Sequence, residues 1–207
     1  MKKVFCIVGL LFWALATLAQ TPREILSRME AEIERLEDSG VIMTVEVRVP
    51  IMGNMVTDTY ILGGKKRLEA EMLGVKIITW NDGQTEWTYN SKTNEAEIAP
   101  SQPEESSESV DTALFKDITD GYNVKLKKQT DQEWQIECKK RKDNPNEDDP
   151  RSMTVVVEKG TYLPLQLSAR MSLLVTMTLH DISFGVTEEQ VTFNPADYPG
   201  VKIKDKR

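Results

Sequence analysis

Residues 75–89 read VKIITWNDGQTEWTY, and this stretch predicts a β-hairpin. Residues 75–80 and 85–89 are rich in β-branched and aromatic side chains, which favour strands. Between them lies Asn81-Asp82-Gly83, and these residue types accept the positive φ angles of a tight turn. The stretch therefore predicts two neighbouring antiparallel strands joined by a short connection.

Strand patterns continue on both sides of this hairpin. In residues 41–49 apolar and polar side chains alternate, which is typical of a strand with one buried face. Comparable segments, separated by turn residues, are 55–62, 65–72, 95–99, 122–128, 134–140, 153–158, 163–170, 173–184 and 191–193. A large antiparallel sheet twists and curls. We therefore expect an α+β fold, mostly antiparallel β, in the form of an unclosed, strongly curved β-barrel of about eleven strands.

Two helices are expected to cover the concave side of this sheet. Thr21, Pro22 and Glu24 form the capping pattern of a helix start, and apolar residues follow at helical spacing until Gly40. An acidic, proline-containing loop, 100–110, precedes a shorter amphipathic helix predicted at 109–118. The loop is either part of a lid or a plain solvated linker, and the short helix is the candidate lid.

The first 19 residues predict a cleaved signal peptide, followed by a single domain of residues 20–207. Two lysines precede an apolar run from Val4 to Leu15, and small residues close the segment. A retained anchor is the alternative, but the run is shorter than the ~20 residues that span a bilayer. Gln20 rather than a cysteine follows the expected cut, which predicts a soluble product without a lipid anchor.

The net charge of this domain limits the classes of molecule that it can attract. Loss of the two lysines takes the net charge from −7 to −9. A negative surface repels nucleic acid and anionic lipid headgroups, so neither is expected as an electrostatic partner.

Residues suited to catalysis or metal binding are few. His180 is the single histidine, and a triad or metal site needs several converging partners. Cys138 is the one cysteine outside the signal peptide, and its apolar strand neighbours predict a buried, unreactive thiol. No glycine-rich phosphate loop, metal-ligand spacing or activated-serine motif occurs in the sequence. We therefore expect a protein that is not an enzyme and that uses no cofactor and no metal.

Methionine and aliphatic side chains recur on one side of three predicted strands, around residues 43–49, 153–157 and 173–179. Such a face adapts to flexible ligands, although an ordinary core beneath the long helix is the alternative. Because one or two helices cannot fill the concave side of so large a sheet, we predict an apolar hollow for lipid chains. The candidate lining and lid residues are Leu26, Met29, Ile33, Met43, Val45, Val47, Leu114, Phe115, Ile118, Met153, Val155, Leu173, Val175 and Met177.

Three segments carry a resemblance to a known family. A helix containing Ile25-Leu26-Ser27-Arg28-Met29 leads into the strand at 43–49, and residues 81–90 read NDGQTEWTYN. The C-terminal segment reads VTFNP at 191–195, followed by Gly200-Val201 and Asp205-Lys206-Arg207. With these features the chain resembles the periplasmic outer-membrane lipoprotein carrier family, the LolA-like proteins.

The resemblance implies an unclosed barrel with helices over its mouth and a hydrophobic cavity for the acyl chains of lipoproteins. It also implies two partners, an inner-membrane lipoprotein-releasing transporter and an outer-membrane acceptor. The family often carries an arginine followed by a proline after the second strand, and that arginine helps to hold the lid shut. Residues 64–68 read GKKRL here, without a proline, and Arg67 is the nearest candidate for this lid tether.

We therefore expect a monomeric, soluble, periplasmic carrier that moves lipoproteins from the inner to the outer membrane. One alternative is a lipid- or lipoprotein-sensing regulatory binding protein of the cell envelope, which could use the same half-barrel. A hydrolase acting on lipid-like or glycan substrates is the other, although no nucleophile and base pair can be named for it.

Overall fold

The computed structural model describes residues 20–50, 53–101, 118–144 and 149–207. The predicted signal peptide, the predicted lid helix up to residue 117 and nearly all of the acidic loop lie outside the described residues. Leu114 and Phe115 therefore lie outside them as well.

The described residues form one α-helix and twelve strands. The helix, α1, comprises Pro22–Leu36, and a 3-10 turn, Glu37–Ser39, follows it. The strands are β1 (Val41–Val49), β2 (Gly53–Leu62), β3 (Lys65–Met72), β4 (Val75–Asn81), β5 (Thr85–Asn90), β6 (Glu95–Pro100), β7 (Tyr122–Gln129), β8 (Glu133–Lys140), β9 (Ser152–Glu158), β10 (Pro164–Arg170), β11 (Thr176–Phe184) and β12 (Lys202–Asp205). Two short 3-10 helices, Glu188–Val191 and Pro195–Asp197, lie between β11 and β12.

All twelve strands belong to one sheet, in the order β12-β6-β5-β4-β3-β2-β1-β11-β10-β9-β8-β7. Neighbouring strands run antiparallel, apart from β12, which runs parallel to β6. Within the described part of the chain, β7 and β12 are the two ends of the sheet, so the barrel is unclosed. The predicted α+β architecture, an open antiparallel sheet with an N-terminal helix, is confirmed.

The C-terminal third differs from the predicted strands in three places. Residues 191–193 are not a strand, because Thr187 and Gln190 form a reciprocal cap on the 3-10 helix that ends at Val191. Residues 173–175 belong to a turn before β11, in which the Ser172 hydroxyl accepts backbone N–H groups. Such side-chain bonds compete with strand pairing. The tail adds β12, which the alternation pattern does not predict, and the sheet has twelve strands rather than about eleven.

The N-terminal helix begins as the sequence predicts. The Thr21 hydroxyl accepts a hydrogen bond from the Glu24 N–H at 3.2 Å, and the Glu24 carboxylate accepts one from the Thr21 N–H at 2.8 Å. These bonds hold the pKa of Glu24 below its ordinary value. The chain leaves the helical region at Gly40, where φ is +74° and an added Cβ would lie 2.5 Å from the Ile61 carbonyl oxygen. This position therefore requires glycine.

The sheet carries apolar layers on both faces, in different places. Side chains opposite each other on adjacent strands share a face, whereas neighbours along a strand alternate. Met43 and Leu68 both lie opposite Thr59, while Arg67 lies opposite Tyr60 and Trp80. We call the side of Met43 the helix face, because Met43 and the buried residues of α1 belong to one core. The other side is the strap face, because the segment 187–201 packs on it.

Candidate functional site

The helix-face core gathers most of the predicted lining residues. All of them that the structure describes, except Leu173, Val175 and Val47, are buried in one cluster, and Val47 packs against it. The members are Leu26, Met29, Ile33, Met43, Val45, Ile118, Met153, Val155 and Met177. The structure thus brings these residues into one core, and their role in binding acyl chains stays a prediction.

Strand register explains why this surface is continuous. Val45 of β1 lies opposite Leu179, which lies opposite Leu167, and the same row continues to Val155 and Ile136. A parallel row runs from Val47 through Met177, Ala169 and Met153 to Cys138. Two adjacent apolar rows therefore cross five strands, β1, β11, β10, β9 and β8, without a charged side chain. We call these rows the belt, and α1 packs over β9 of the belt and over the neighbouring strand β7.

Tyr162 holds the start of α1 against the sheet. It lies in the β9–β10 turn, and its hydroxyl accepts hydrogen bonds from Gln20 Nε2 at 2.6 Å and Arg28 Nη1 at 3.0 Å. The Arg28 guanidinium also lies 5.1 Å from the centre of the Tyr162 ring, which stacks on Trp134 at 5.4 Å. We call Tyr162 with Gln20, Arg28 and Trp134 the clasp. The Arg28 guanidinium lies over the Tyr162 ring, and Gln20 and Arg28 share the Tyr162 hydroxyl as acceptor. These contacts fix the start of the helix at the edge of the core.

A second set of contacts joins α1 to the residues that follow the undescribed segment 102–117. Arg23 Nη1 donates to the Thr119 carbonyl at 3.1 Å, and the Ile118 N–H donates to Glu30 Oε1 at 3.2 Å. Ile118 itself is 2% exposed, so the described end of the predicted lid helix packs on α1.

Leu173 and Val175 lie apart from the predicted site. Leu173 is 78% exposed in the turn before β11, and Val175 is half-buried beside it. The alternating pattern continues through this turn, but the hydrogen bonds of Ser172 end the strand pairing at Thr176. Placing Leu173 inside the concave core is therefore wrong.

Arg67, the predicted lid tether, points to the strap face. Its Nη2 pairs with Glu69 Oε2 at 2.6 Å, and its guanidinium lies 5.0 Å from the Tyr60 ring centre and 5.7 Å from that of Trp80. These contacts place it in the layer that holds the C-terminal segment. The lid-tether role stays a prediction, since the lid segment lies outside the described residues.

The strap-face layer is an aromatic cluster that the sequence patterns do not predict. Trp80 contacts Phe193 at 5.2 Å and Tyr198 at 5.8 Å between ring centres, and Tyr198 contacts Tyr89 at 4.3 Å. Burial raises the pKa of Tyr198. In the sequence, Phe193 and Tyr198 stand close together, with four residues between them, and this is the signal that could have indicated the cluster. Only the register of β4 and β5 shows where the two rings pack.

Ionisable groups inside the sheet are neutral or paired. Cys138 is buried, as predicted, and burial raises the pKa of its thiol to about 12; its lack of reactivity stays a prediction. Burial also raises the pKa of Glu69, but hydrogen bonds from Lys76 and Arg67 outweigh it and leave the value lowered. His180 is partly exposed and its Nδ1 lies 2.7 Å from the Asp181 carboxylate. Within the described ranges, no group of three or more metal-type ligands converges.

Two polar grooves lie away from the helix-face core. One, of about 330 Å³, is lined by Thr88, Asn90, Thr93, Glu95, Glu97 and Lys204. A smaller one of about 200 Å³ lies along the C-terminal segment around Glu188, Glu189 and Asp197. Their charged linings suit water rather than acyl chains. In the described residues, no helix combines the length and the apolar character needed to cross a bilayer.

Comparison with known proteins gives structural likeness at low identity. No protein-family model matches the sequence, and no curated protein matches it. An uncharacterized conserved protein from Thermus thermophilus is 17% identical, covering 90% of this chain and 100% of that chain, with a TM-score of 0.45. A LolA superfamily protein from Nitrosomonas europaea is 12% identical, covering 86% and 100% of the two chains, with a TM-score of 0.33. An outer membrane lipoprotein-sorting protein domain from Vibrio parahaemolyticus is 13% identical, covering 83% and 97%, with a TM-score of 0.33. The solved structures similar to this chain thus include a LolA superfamily protein and a lipoprotein-sorting protein domain.

Proposed function

We propose that this protein binds the acyl chains of lipoproteins between α1 and the sheet, and carries them through the periplasm from the inner to the outer membrane. The observation that carries the proposal is the continuous apolar belt across five strands beneath a helix whose clasp lies at the edge of the core. The inner-membrane transporter and outer-membrane acceptor implied by the sequence resemblance are the proposed partners, and the carrier acts as a monomer.

The free energies of opening and filling the site are similar in size. Ile25, Leu26, Met29 and Ile33 of α1 are at most 1% exposed. Exposing them costs roughly 6–12 kcal/mol, at about 1.5–3 kcal/mol for each side chain. An acyl chain regains about 0.8 kcal/mol per buried methylene, so ten to fourteen methylenes contribute about 8–11 kcal/mol. Because the two free energies nearly offset each other, cargo replaces the helix against the belt without a large net change, which favours release to an acceptor.

The methionines suit a site that must accept chains of different shape. Met29 comes from α1, Met43 from β1, Met153 from β9 and Met177 from β11, and all four are at most 8% exposed. Their unbranched thioether side chains change rotamer at low cost and can fill irregular gaps. A carrier for diverse lipoproteins needs this tolerance, because the cargo proteins share their acyl chains rather than their folds.

The test is a titration of residues 20–207 with a fluorescent fatty acid, followed by displacement with a diacylated lipopeptide. We expect saturable binding that the lipopeptide reverses. Val47→Asp places a carboxylate at the rim of the belt and should weaken binding at least about tenfold, because a buried charge is costly. Val56→Asp is the matched control, since Val56 is 49% exposed and lies on the strap side of β2, opposite Glu46. Absence of saturable binding by the unmodified protein would refute the proposal.

A further inference from the structure

Strand β7 is a margin of the sheet, and among the described residues one of its edges has no partner strand. Its pairing with β8 shows which backbone groups face that edge. The Arg141 N–H donates to the Gly121 carbonyl at 2.9 Å, and such pairs recur at every second residue of an antiparallel ladder. The N–H and C=O groups of Tyr122, Val124 and Leu126 therefore point away from β8, toward the open edge.

Both apolar rows of the belt lead to this edge. The row that contains Ile136 continues to Leu126, and the row that contains Cys138 continues to Val124. Val124 and Leu126 are partly buried and pack against the helix-face core. A strand added along β7 would place its own side chains beside these two residues, so apolar residues there would lengthen the belt by one strand.

The other face of β7 is basic. Lys125 lies opposite Glu137, and Lys127 and Lys128 follow at a bulge. The three lysines are exposed, and β7 contains no acidic residue. None of them forms an ion pair with a described residue, because Glu137 pairs with Lys139 at 3.3 Å instead. The edge is therefore a local positive region in a chain whose net charge is −7.

The lysines at the opposite margin have a different environment. Lys204 pairs with Glu95 at 2.7 Å and Lys206 pairs with Glu97 at 2.5 Å, and both carboxylates belong to the neighbouring strand β6. Lysines on an edge strand are a common protection against unwanted pairing, and this reason applies to both margins. In the described part of the chain, however, only the β12 margin supplies carboxylates to its lysines. The β7 margin thus fits carboxylates that come from another molecule.

We propose that β7 binds an extended segment of a partner protein as an additional strand, and that acidic and apolar residues alternate in this segment. Its apolar side chains would lie beside Val124 and Leu126, and its carboxylates beside Lys125 and Lys128, because successive side chains of a strand point to opposite faces. The outward backbone groups of β7 supply the hydrogen bonds, and the alternation supplies the specificity. A phosphate-bearing surface would use the lysines alone. This inference goes beyond the proposed function, since it does not require acyl chains in the core.

The probe is a short fluorescein-labelled peptide in which valine alternates with glutamate, and its anisotropy is measured as residues 20–207 are added. We expect saturable binding that weakens as the salt concentration rises. Lys125→Glu should weaken binding by roughly three- to tenfold, because an attractive cross-strand pair becomes repulsive. Lys92→Glu is the matched control, because Lys92 is exposed in the β5–β6 turn and its replacement changes the net charge equally.

A second comparison tests the backbone hydrogen bonds. Val124→Pro removes an N–H that points outward, and proline is tolerated at the open side of an edge strand. It should weaken peptide binding at least about tenfold, and Val124→Ala, which keeps the N–H, should bind more tightly than the proline variant. The same bonds are tested on the unmodified protein with a peptide that is N-methylated at every second residue, which should also bind at least about tenfold more weakly.

Four results would overturn the inference. The first is an unmodified protein that does not bind the alternating peptide, and the second is equal affinity of Lys125→Glu and the Lys92→Glu control. The third is equal binding of both N-methylated registers and the parent peptide, which would show attraction by charge alone. The fourth is a dimer of the unmodified protein in sedimentation that Val124→Pro lacks, because a second copy would then occupy the edge.

Fatty-acid titration separates this inference from the proposed function. Lys125→Glu should keep full acyl-chain affinity, because Lys125 alternates with its apolar neighbours and faces away from the belt. Peptide binding without acyl-chain binding would refute the proposed function and leave the edge site standing. Acyl-chain binding without peptide binding would refute the edge site alone.

Discussion

Replacing Tyr162 by phenylalanine should loosen α1 and thereby tighten the binding of acyl chains. The substitution removes the hydroxyl that accepts hydrogen bonds from Gln20 and Arg28, and keeps the ring that stacks on Trp134. Only the polar part of the clasp is lost.

The magnitude follows from these two bonds. A net hydrogen bond contributes about 0.5–1.5 kcal/mol, and more with a charged donor, but both bonds here are at most partly buried. We expect the clasp to weaken by about 1–2 kcal/mol. If acyl chains enter only when α1 is released, the apparent affinity rises by the same free energy, about 5- to 30-fold.

The assay combines urea unfolding, hydrogen exchange of residues 22–36 and titration with a fluorescent fatty acid. We expect lower stability, faster exchange in α1 and a lower dissociation constant. Tyr89→Phe is the matched control, because its hydroxyl bonds Asn94 at 3.2 Å on the strap face, away from α1. Faster exchange in α1 with unchanged or weaker acyl binding would refute the view that release of this helix admits cargo.

Three further predictions concern stability. Gly40→Ala should lower the free energy of unfolding by about 2 kcal/mol or more, because the new Cβ would lie 2.5 Å from a carbonyl oxygen. Gly64→Ala is the control, because a Cβ there has no neighbour within 4 Å, and urea unfolding should show almost no change. Glu69 has a lowered pKa in the folded protein, so its contribution is present above its ordinary pKa of 4.5 and is lost as the pH falls through the folded value. Glu69→Gln should therefore reduce stability at pH 7 by about 1 kcal/mol and flatten the acid limb of the pH profile; an unchanged acid limb would contradict this. Cys138 should react with Ellman's reagent only in urea, and stability should fall as the pH rises above 9, where the unfolded thiol ionises and the folded one, with a pKa of about 12, does not; rapid labelling of the native protein would contradict the buried thiol.

The sequence predicts what local patterns determine. The capping residues Thr21 and Glu24 place the start of α1, and alternation places most strands within one or two residues. The residues that gather at the belt follow from the same alternation on β1, β9 and β11. Each of these signals lies within a few residues of the element it specifies.

Long-range features were not predictable in this way. Alternation in β4 predicts that Trp80 shares one face of the strand with Ile78. Only the pairing of Trp80 with Arg67 and its contact with Phe193 show that this face is the strap face. The clasp joins Gln20 to Tyr162, 142 positions along the chain, and no local pattern marks such a contact. Leu173 illustrates the opposite error, because a local alternation continues past the point where Ser172 ends the pairing.

The two ends of the open sheet differ from an ordinary exposed edge. An unpaired strand invites backbone pairing with another molecule, and long open sheets are therefore prone to aggregate. Here β7 carries Lys125, Lys127 and Lys128, while the terminal strand β12 is only four residues long and has Lys202 and Lys204. A second copy that paired along either margin would bring ammonium groups side by side. The lysines of β7 and the shortness of β12 therefore disfavour such pairing along the two margins.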